Sequence, residues 1–120
     1  MLKLKSLFLF SENPAKLAEF YKKVFSKEPE FEDGGYSGFT LGEGMIIIGP
    51  HDKVKGKNKN PERIFANFET DDVEGDFKKI KKIGAKVIAE PYHPDEEKKM
   101  TLATFEDPDG NYFQLASPMQ

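Results

Sequence analysis

The hydrophobic positions of the first half of the chain alternate at first and then recur at helical spacing. Alternation over residues 2–10 predicts a strand with Leu7 and Leu9 on one face and, on the other face, Leu2, Leu4, Ser6, Phe8 and Phe10. Asn13 and Pro14 then provide an N-cap and a proline at the first helical position, before apolar residues at intervals of three and four. Extended segments near 28–32, 36–41 and 45–49, separated by glycine-containing turns, complete the order βαβββ.

The same order of elements is predicted again in the second half. Residues 64–70 (IFANFET) form a strand, Asp71 or Asp72 caps an amphipathic helix, and Gly84 ends it. Strands follow near 85–91, 100–105 and 111–117. We therefore predict an α+β fold of two βαβββ modules in one domain, residues 1–50 and 63–120, joined by a polar linker at 51–62.

Composition narrows the class of protein. The 120 residues are 38% hydrophobic and include 11 Phe, which predicts a globular domain. A net charge of −3 gives no reason to expect a nucleic acid or a membrane as partner. The chain has no Cys, which excludes disulfides and thiolate chemistry, and it contains no phosphate-binding glycine motif and no nucleophile elbow. We expect a soluble, cytoplasmic protein.

Four segments in register resemble the vicinal oxygen chelate superfamily, which includes glyoxalase I, extradiol dioxygenases and the fosfomycin and bleomycin resistance proteins. The segments are residues 13–21 (NPAKLAEFY), 71–73 (DDV), 83–85 (IGA) and 107–115 (DPDGNYFQL). The resemblance implies paired βαβββ modules whose curved mixed sheet surrounds a cavity. It also implies that the enzymes of the family hold a divalent metal in that cavity with His, Gln or Glu.

The family has four metal-ligand positions, and in this chain only one of them carries a residue that could coordinate a metal. They fall at Ser6, at Ile46 or Ile48, at Phe65, and at Gln114, where family enzymes usually have Glu. A divalent cation needs several oxygen or nitrogen ligands from separate strands. The chain is therefore expected to hold no metal and no other cofactor.

The resemblance and the strand alternation together predict the lining of the cavity. The residues expected to bind a ligand are Ser6, Phe8, Phe10, Ile46, Ile48, Phe65, Asn67, Glu69, Tyr112 and Gln114. Apolar walls with a few polar groups are typical of a small-molecule pocket. The apolar members are equally compatible with a core or a subunit interface, and the amides with bonds to the backbone. Glu69 is a candidate acid or base, but its place beside Thr70 favours a solvated position.

These observations lead to alternative hypotheses about function. The first is a metal-free protein that binds a small, partly apolar or aromatic molecule without converting it, as the bleomycin resistance proteins do. The alternative is a lyase, isomerase or dioxygenase with an unconventional metal site or with Glu69 as acid or base. A third is a dimeric accessory protein whose groove is filled by its own side chains. The resemblance and the sheet edges also predict a homodimer.

Overall fold

The computed structural model describes residues 1–118, which form two helices and eight strands. The elements are β1 (Ser6–Ser11), α1 (Pro14–Phe25), β2 (Phe31–Asp33), β3 (Tyr36–Leu41), β4 (Gly44–Pro50), β5 (Ala66–Glu69), α2 (Val73–Ile83), β6 (Lys86–Tyr92), β7 (Leu102–Glu106) and β8 (Tyr112–Ala116). The chain divides into two compact units, Met1–Gly56 and Lys57–Gln120. Each unit has the predicted order βαβββ.

Each unit contains one mixed sheet of four strands. The first sheet has the order β1-β4-β3-β2, and the second has the order β5-β8-β7-β6. In both sheets the strand before the helix pairs in parallel with the last strand of the unit, and the remaining pairs are antiparallel. The α+β class and the tandem βαβββ arrangement predicted from the sequence are thus confirmed.

Helix α1 begins and ends at local signals. The Asn13 side chain accepts a hydrogen bond from the Lys16 backbone N–H at 3.3 Å, and Pro14 takes the first helical position. The helix ends at Ser26, which adopts the left-handed region with φ 54°. Its buried face, which includes Leu17 and Tyr21, packs on the first sheet.

Helix α2 also begins at a side-chain cap and ends at a left-handed residue, which here is a glycine. The Asp72 side chain accepts from the Gly75 N–H at 2.9 Å, and Gly84 adopts φ 106°, as expected for the left-handed residue that closes a helix. Phe77 is buried on the sheet side of this helix and stacks on Phe105 of β7 with ring centroids 5.1 Å apart. Phe105 in turn stacks on Phe113 at 5.5 Å, so an aromatic row forms the core of the second unit.

The helix-covered face of the first sheet is identified by Phe39. Its ring is fully buried and lies 5.3 Å from the ring of Phe25 in α1. Phe39 pairs with Ile46 across β3 and β4, and Ile46 pairs with Leu7 of β1. Residues that are directly opposite each other share a face. Ile46 therefore packs under the helix, and so does Ile48, which is 0% exposed.

This register corrects the predicted orientation of Ile46 and Ile48, which were expected to line a cavity. The segment MIII is apolar on both faces, so alternation carries no information about which residues face the helix. We call the face of each sheet opposite its helix the far face. The far-face pairs of β1 and β4 are Ser6 with Met45, Phe8 with Ile47, and Phe10 with Gly49.

Strand β1 is also shorter than predicted. It begins at Ser6 rather than at residue 2, and Leu2 and Leu4 are 98% and 94% exposed. The last backbone bond at this end joins the Met45 N–H to the Lys5 carbonyl at 3.1 Å, because β4 begins at Gly44. Alternation shows which residues share a face but not where the partner strand ends.

The corrected register predicts different costs for two neighbouring truncations. Ile48→Ala should lower the free energy of unfolding by about 2–4 kcal/mol, because it opens a cavity in the core under α1. Ile47→Ala, on the far face, should cost less than half as much. Urea denaturation of both variants measures the difference. Equal losses, or a larger loss for Ile47→Ala, would contradict the register.

Candidate functional site

The far face of the first sheet carries a row of aromatic side chains. The rings of Phe8 and Phe10 stack with centroids 5.6 Å apart, and Phe10 meets the His51 ring edge-on at 5.2 Å. Phe8 is 47% exposed, whereas Ser6 and Phe10 are half-buried. Ser6, Phe8 and Phe10 thus share one face, as alternation predicts. Their part in ligand binding stays a prediction.

Two further rings lie flat on this face because glycines leave room for them. A Cβ on Gly49 would overlap the Tyr36 ring, and a Cβ on Gly38 would overlap the Phe31 ring. Phe31 is 41% exposed, so its ring covers the sheet without being covered in turn within the described chain. Glycine inside a strand often marks such a close approach. That signal was present in the sequence, yet neither ring was predicted here.

The far face of the second sheet carries two amides that bond to each other. Asn67 of β5 and Gln114 of β8 are register partners, and the Gln114 Nε2 donates to the Asn67 Oδ1 at 3.0 Å. Thr104 of β7 pairs with Gln114 on its other side. The three side chains therefore form a polar row across adjacent strands. The two amides pair side chain to side chain, not with the backbone.

An aromatic pair lies beside this polar row. The Phe65 and Tyr112 rings are 6.3 Å apart in an edge-to-face arrangement, and each residue precedes an amide by two positions. Phe65 comes just before β5 and is 38% exposed. Alternation predicted that both rings share the face of Asn67 and Gln114, and the register agrees with it.

Glu69 lies at the solvated end of this face. It pairs with Ala116 at the end of β5, and its side chain is exposed. The adjacent Thr70 turns back to α2, where its hydroxyl donates to Asp76 at 2.6 Å. Glu69 is thus not enclosed by apolar side chains within its own unit, which matches the solvated position favoured by the sequence.

The segment 107–111 (DPDGN) fixes the turn that leads into β8. The buried Asp107 carboxylate accepts from the N–H groups of Asp109 and Asn111 at 2.9 and 3.0 Å and from the Asn111 side chain at 3.1 Å. Gly110 adopts φ 81°. The Asn111 side chain also accepts from Asn58 at 3.0 Å. These bonds hold the start of β8, and hence Gln114, in register.

The two histidines lie in loops, as predicted. The His51 Nδ1 accepts from the Lys53 N–H at 3.1 Å, and the His93 Nδ1 donates to the Met100 carbonyl at 3.0 Å. Near His93, the Lys99 backbone N–H donates to Asp95 and lowers the pKa of its carboxyl, and Met100 adds to this effect. Among residues 1–118, no three His, Asp or Glu side chains are grouped to hold a metal ion.

The residues at the implied ligand positions do not fit a divalent metal. With the corrected register, the far face of β4 supplies Met45 or Ile47, and the other positions hold Ser6, Phe65 and Gln114. Of these positions, those in the first unit offer one hydroxyl and those in the second unit one amide oxygen, so neither unit offers the several ligands that a hard cation needs. The donor chemistry at these positions suits hydrogen bonding instead.

A groove of about 390 Å³ lies elsewhere in the first unit, between α1 and the turn from β2 to β3. Pro14, Ala18 and Gly35 line its apolar part, and Glu19 and Lys22 lie at its rim. Lys22 pairs with Glu19 at 3.1 Å, and this hydrogen bond raises the pKa of the lysine. Neither strand alternation nor helical spacing predicts this groove.

Comparison with known proteins agrees with the fold and the motifs. The model of the Glyoxalase/Bleomycin resistance protein/Dioxygenase superfamily matches residues 3–115. The chain therefore belongs to this superfamily. No curated protein matches the chain significantly. Within residues 1–118, neither helix is long and apolar enough to cross a membrane.

Solved structures share the fold at low sequence identity. A glyoxalase/bleomycin resistance protein/dioxygenase family enzyme from Burkholderia phytofirmans PsJN is 19% identical, with a TM-score of 0.78, covering 98% of this chain and 100% of that chain. A glyoxalase-related enzyme from Fulvimarina pelagi is 13% identical, with a TM-score of 0.79 and coverages of 98% and 89%. TioX from Micromonospora sp. ML1 is 11% identical, with a TM-score of 0.76 and coverages of 98% and 99%.

A single carboxylate should not create a metal site on this face. In Gln114→Glu, the register neighbours are still Asn67 and Thr104, which add one amide and one hydroxyl oxygen. Isothermal titration with nickel, manganese and zinc should therefore show no tight binding with one metal per chain. The triple variant Asn67→His, Thr104→His, Gln114→Glu places three ligands in one row and is the positive control. Tight binding by the single variant would contradict the donor set described here.

Proposed function

We propose that this chain binds a small, partly apolar or aromatic molecule on the far faces of its sheets, without a metal and without converting it. The observation that carries the proposal is the exposure of aromatic rings on these faces. Phe8, Phe31 and Phe65 are 47%, 41% and 38% exposed. Burying a fully exposed phenylalanine side chain gains about 1.5–3 kcal/mol, and covering the part that is still exposed gains a corresponding fraction, so several such rings together favour an apolar ligand.

The polar groups of these faces support recognition rather than chemistry. Ser6 on the first sheet and the row of Asn67, Thr104 and Gln114 on the second are hydroxyls and amides. Such groups orient a ligand by hydrogen bonds but do not supply a strong acid, base or nucleophile without activation. Apolar walls with a few polar groups are the usual composition of a small-molecule site.

A lyase, isomerase or dioxygenase is the alternative function, since Glu69 shares its face with Asn67 and the superfamily includes enzymes. Elemental analysis of protein purified without chelator separates the two proposals. A stoichiometric divalent metal would overturn the metal-free proposal. The donor set at Ser6, Phe65 and Gln114 supports the metal-free form.

Ligand binding can be tested with alanine variants of two adjacent exposed residues. Naphthalene derivatives serve as probes, and their binding is followed by amide chemical shifts. Phe65→Ala should weaken binding about tenfold, because the variant loses the ring that meets Tyr112. Ile64→Ala is the matched control, since Ile64 is 67% exposed and should leave affinity within about twofold.

The outcome of this titration is decisive in either direction. Shifts concentrated at Phe65 and Gln114, together with the selective loss in Phe65→Ala, would support the proposal. Absence of saturable binding by a broad set of aromatic probes would contradict it and would favour an accessory protein whose faces are covered by its own chains.

We further propose that the protein is a homodimer. Strands β2 and β6 are sheet edges, and they carry the exposed aromatic residues Phe31 and Tyr92. Unpaired edges favour association with another chain. Residues 51–62, proposed as the linker within a single domain, would decide whether modules pair within one chain or between chains.

Sedimentation measures the oligomeric state directly. At micromolar concentration the molecular mass measured by sedimentation should be twice the 13.6 kDa of one chain. Phe31→Glu and Tyr92→Glu, each at a sheet edge, should shift the population toward the monomer. The control variant Lys16→Glu on the exposed side of α1 should not. A wild-type monomer under these conditions would refute the homodimer.

A further inference from the structure

We infer that the Asn67–Gln114 pair selects ligands that present a hydrogen-bond donor and an acceptor side by side, as a carboxamide does. This inference rests on the proposed function and names the class of ligand for the second sheet. The three observations that carry it are the amide pair, the adjacent aromatic pair and the charges of this face.

The amide pair leaves one NH₂ group and one carbonyl oxygen without any bond inside the pair. Each amide has one carbonyl oxygen and one NH₂ group. Because the Gln114 NH₂ donates to the Asn67 oxygen, the Gln114 oxygen and the Asn67 NH₂ remain for a ligand. If both amides were rotated, the bond would run the other way and would again leave one oxygen and one NH₂. A complementary ligand needs an N–H beside a carbonyl oxygen.

The aromatic pair places an apolar surface at a suitable distance from these groups. Phe65 and Tyr112 precede Asn67 and Gln114 by two residues on their strands. Two residues of strand span about 6.6 Å, so the aromatic pair and the amide pair are successive rows of one face. An aromatic ring with a carboxamide substituent can contact both rows at once.

The charges of this face disfavour an anionic ligand. Within the described strands, the charged residues that share it include Glu69 on β5 and the pair Lys86 and Glu106 at 3.9 Å, and a further carboxylate, Glu90, is exposed on β6. The one cation therefore already faces a carboxylate, and Glu69 is exposed near the amide row. A carboxylate ligand would meet repulsion from Glu69 and would also lack the donor that the Gln114 oxygen needs.

Three probes of similar shape test separately whether the ligand needs a donor, an acceptor and a neutral charge. 2-Naphthamide has both donor and acceptor, 2-acetylnaphthalene has only the acceptor, and 2-naphthoate is an anion without a donor. Titration of the wild-type protein should give an affinity for the amide about 3- to 10-fold higher than for the ketone, as expected for one further hydrogen bond. The naphthoate should bind most weakly.

Variants of the pair test whether these two residues cause the preference. The double variant Asn67→Leu, Gln114→Met removes both amides, so neither a donor nor an acceptor remains at these positions, and it should abolish the preference for the amide while the ketone still binds. The exchange variant Asn67→Gln, Gln114→Asn keeps one donor and one acceptor and should retain the preference. Urea denaturation of each variant checks that the fold is intact, and a double variant that has lost stability is replaced by Asn67→Ala, Gln114→Ala, which removes the same groups.

The outcomes distinguish this inference from the proposal on which it rests. If the amide and the ketone bind equally well, or the naphthoate binds best, the inference is wrong and small-molecule binding stands. If the double variant without either amide keeps the full preference, the selecting groups lie elsewhere and the inference is again wrong. If none of the three probes binds, the proposed function itself fails.

Discussion

Each sheet of this protein has a single helix, and a helix can cover only one face of a sheet. The covered faces hold the cores of the two units, with Phe39, Ile48, Phe105 and Phe113 all nearly without exposure. The far faces receive no helix from their own unit, yet they also carry large apolar side chains. This constraint explains why the strands are apolar on both sides and why the far faces are the natural place for a ligand or a partner.

The sequence predicts the fold well because its local signals agree with one another. Caps at Asn13 and Asp72 set the helix starts, and Gly84 sets the end of α2. Strand β3 has the predicted bounds, 36–41. The ends of β1 were less predictable, since Lys3 and Lys5 continue the alternation past the end of the partner strand. Ser26 adopts a left-handed conformation without glycine, which composition does not indicate.

Alternation predicted the orientation of side chains correctly where the two faces of a strand differ chemically. Strand β5 alternates Asn67 and Glu69 with Ala66 and Phe68, so its far face was identified correctly. Strand β4 offers isoleucine on both faces, so Ile46 and Ile48 were assigned to the wrong one. Contacts between strands are harder to predict, because they depend on register. The bond between Asn67 and Gln114 requires that β5 and β8 be paired in parallel at one particular offset.

Register also determines what the retained glutamine can do. A glutamine whose oxygen is free to join other ligands can help to hold a metal, but a metal also needs charged or imidazole partners. In this chain the register neighbours of Gln114 are an amide and a hydroxyl. The turn at Asp107 keeps β8 in place regardless of what Gln114 binds, because its hydrogen bonds lie within 107–111. The turn and the register that position Gln114 therefore do not depend on which group occupies that position or on what it binds.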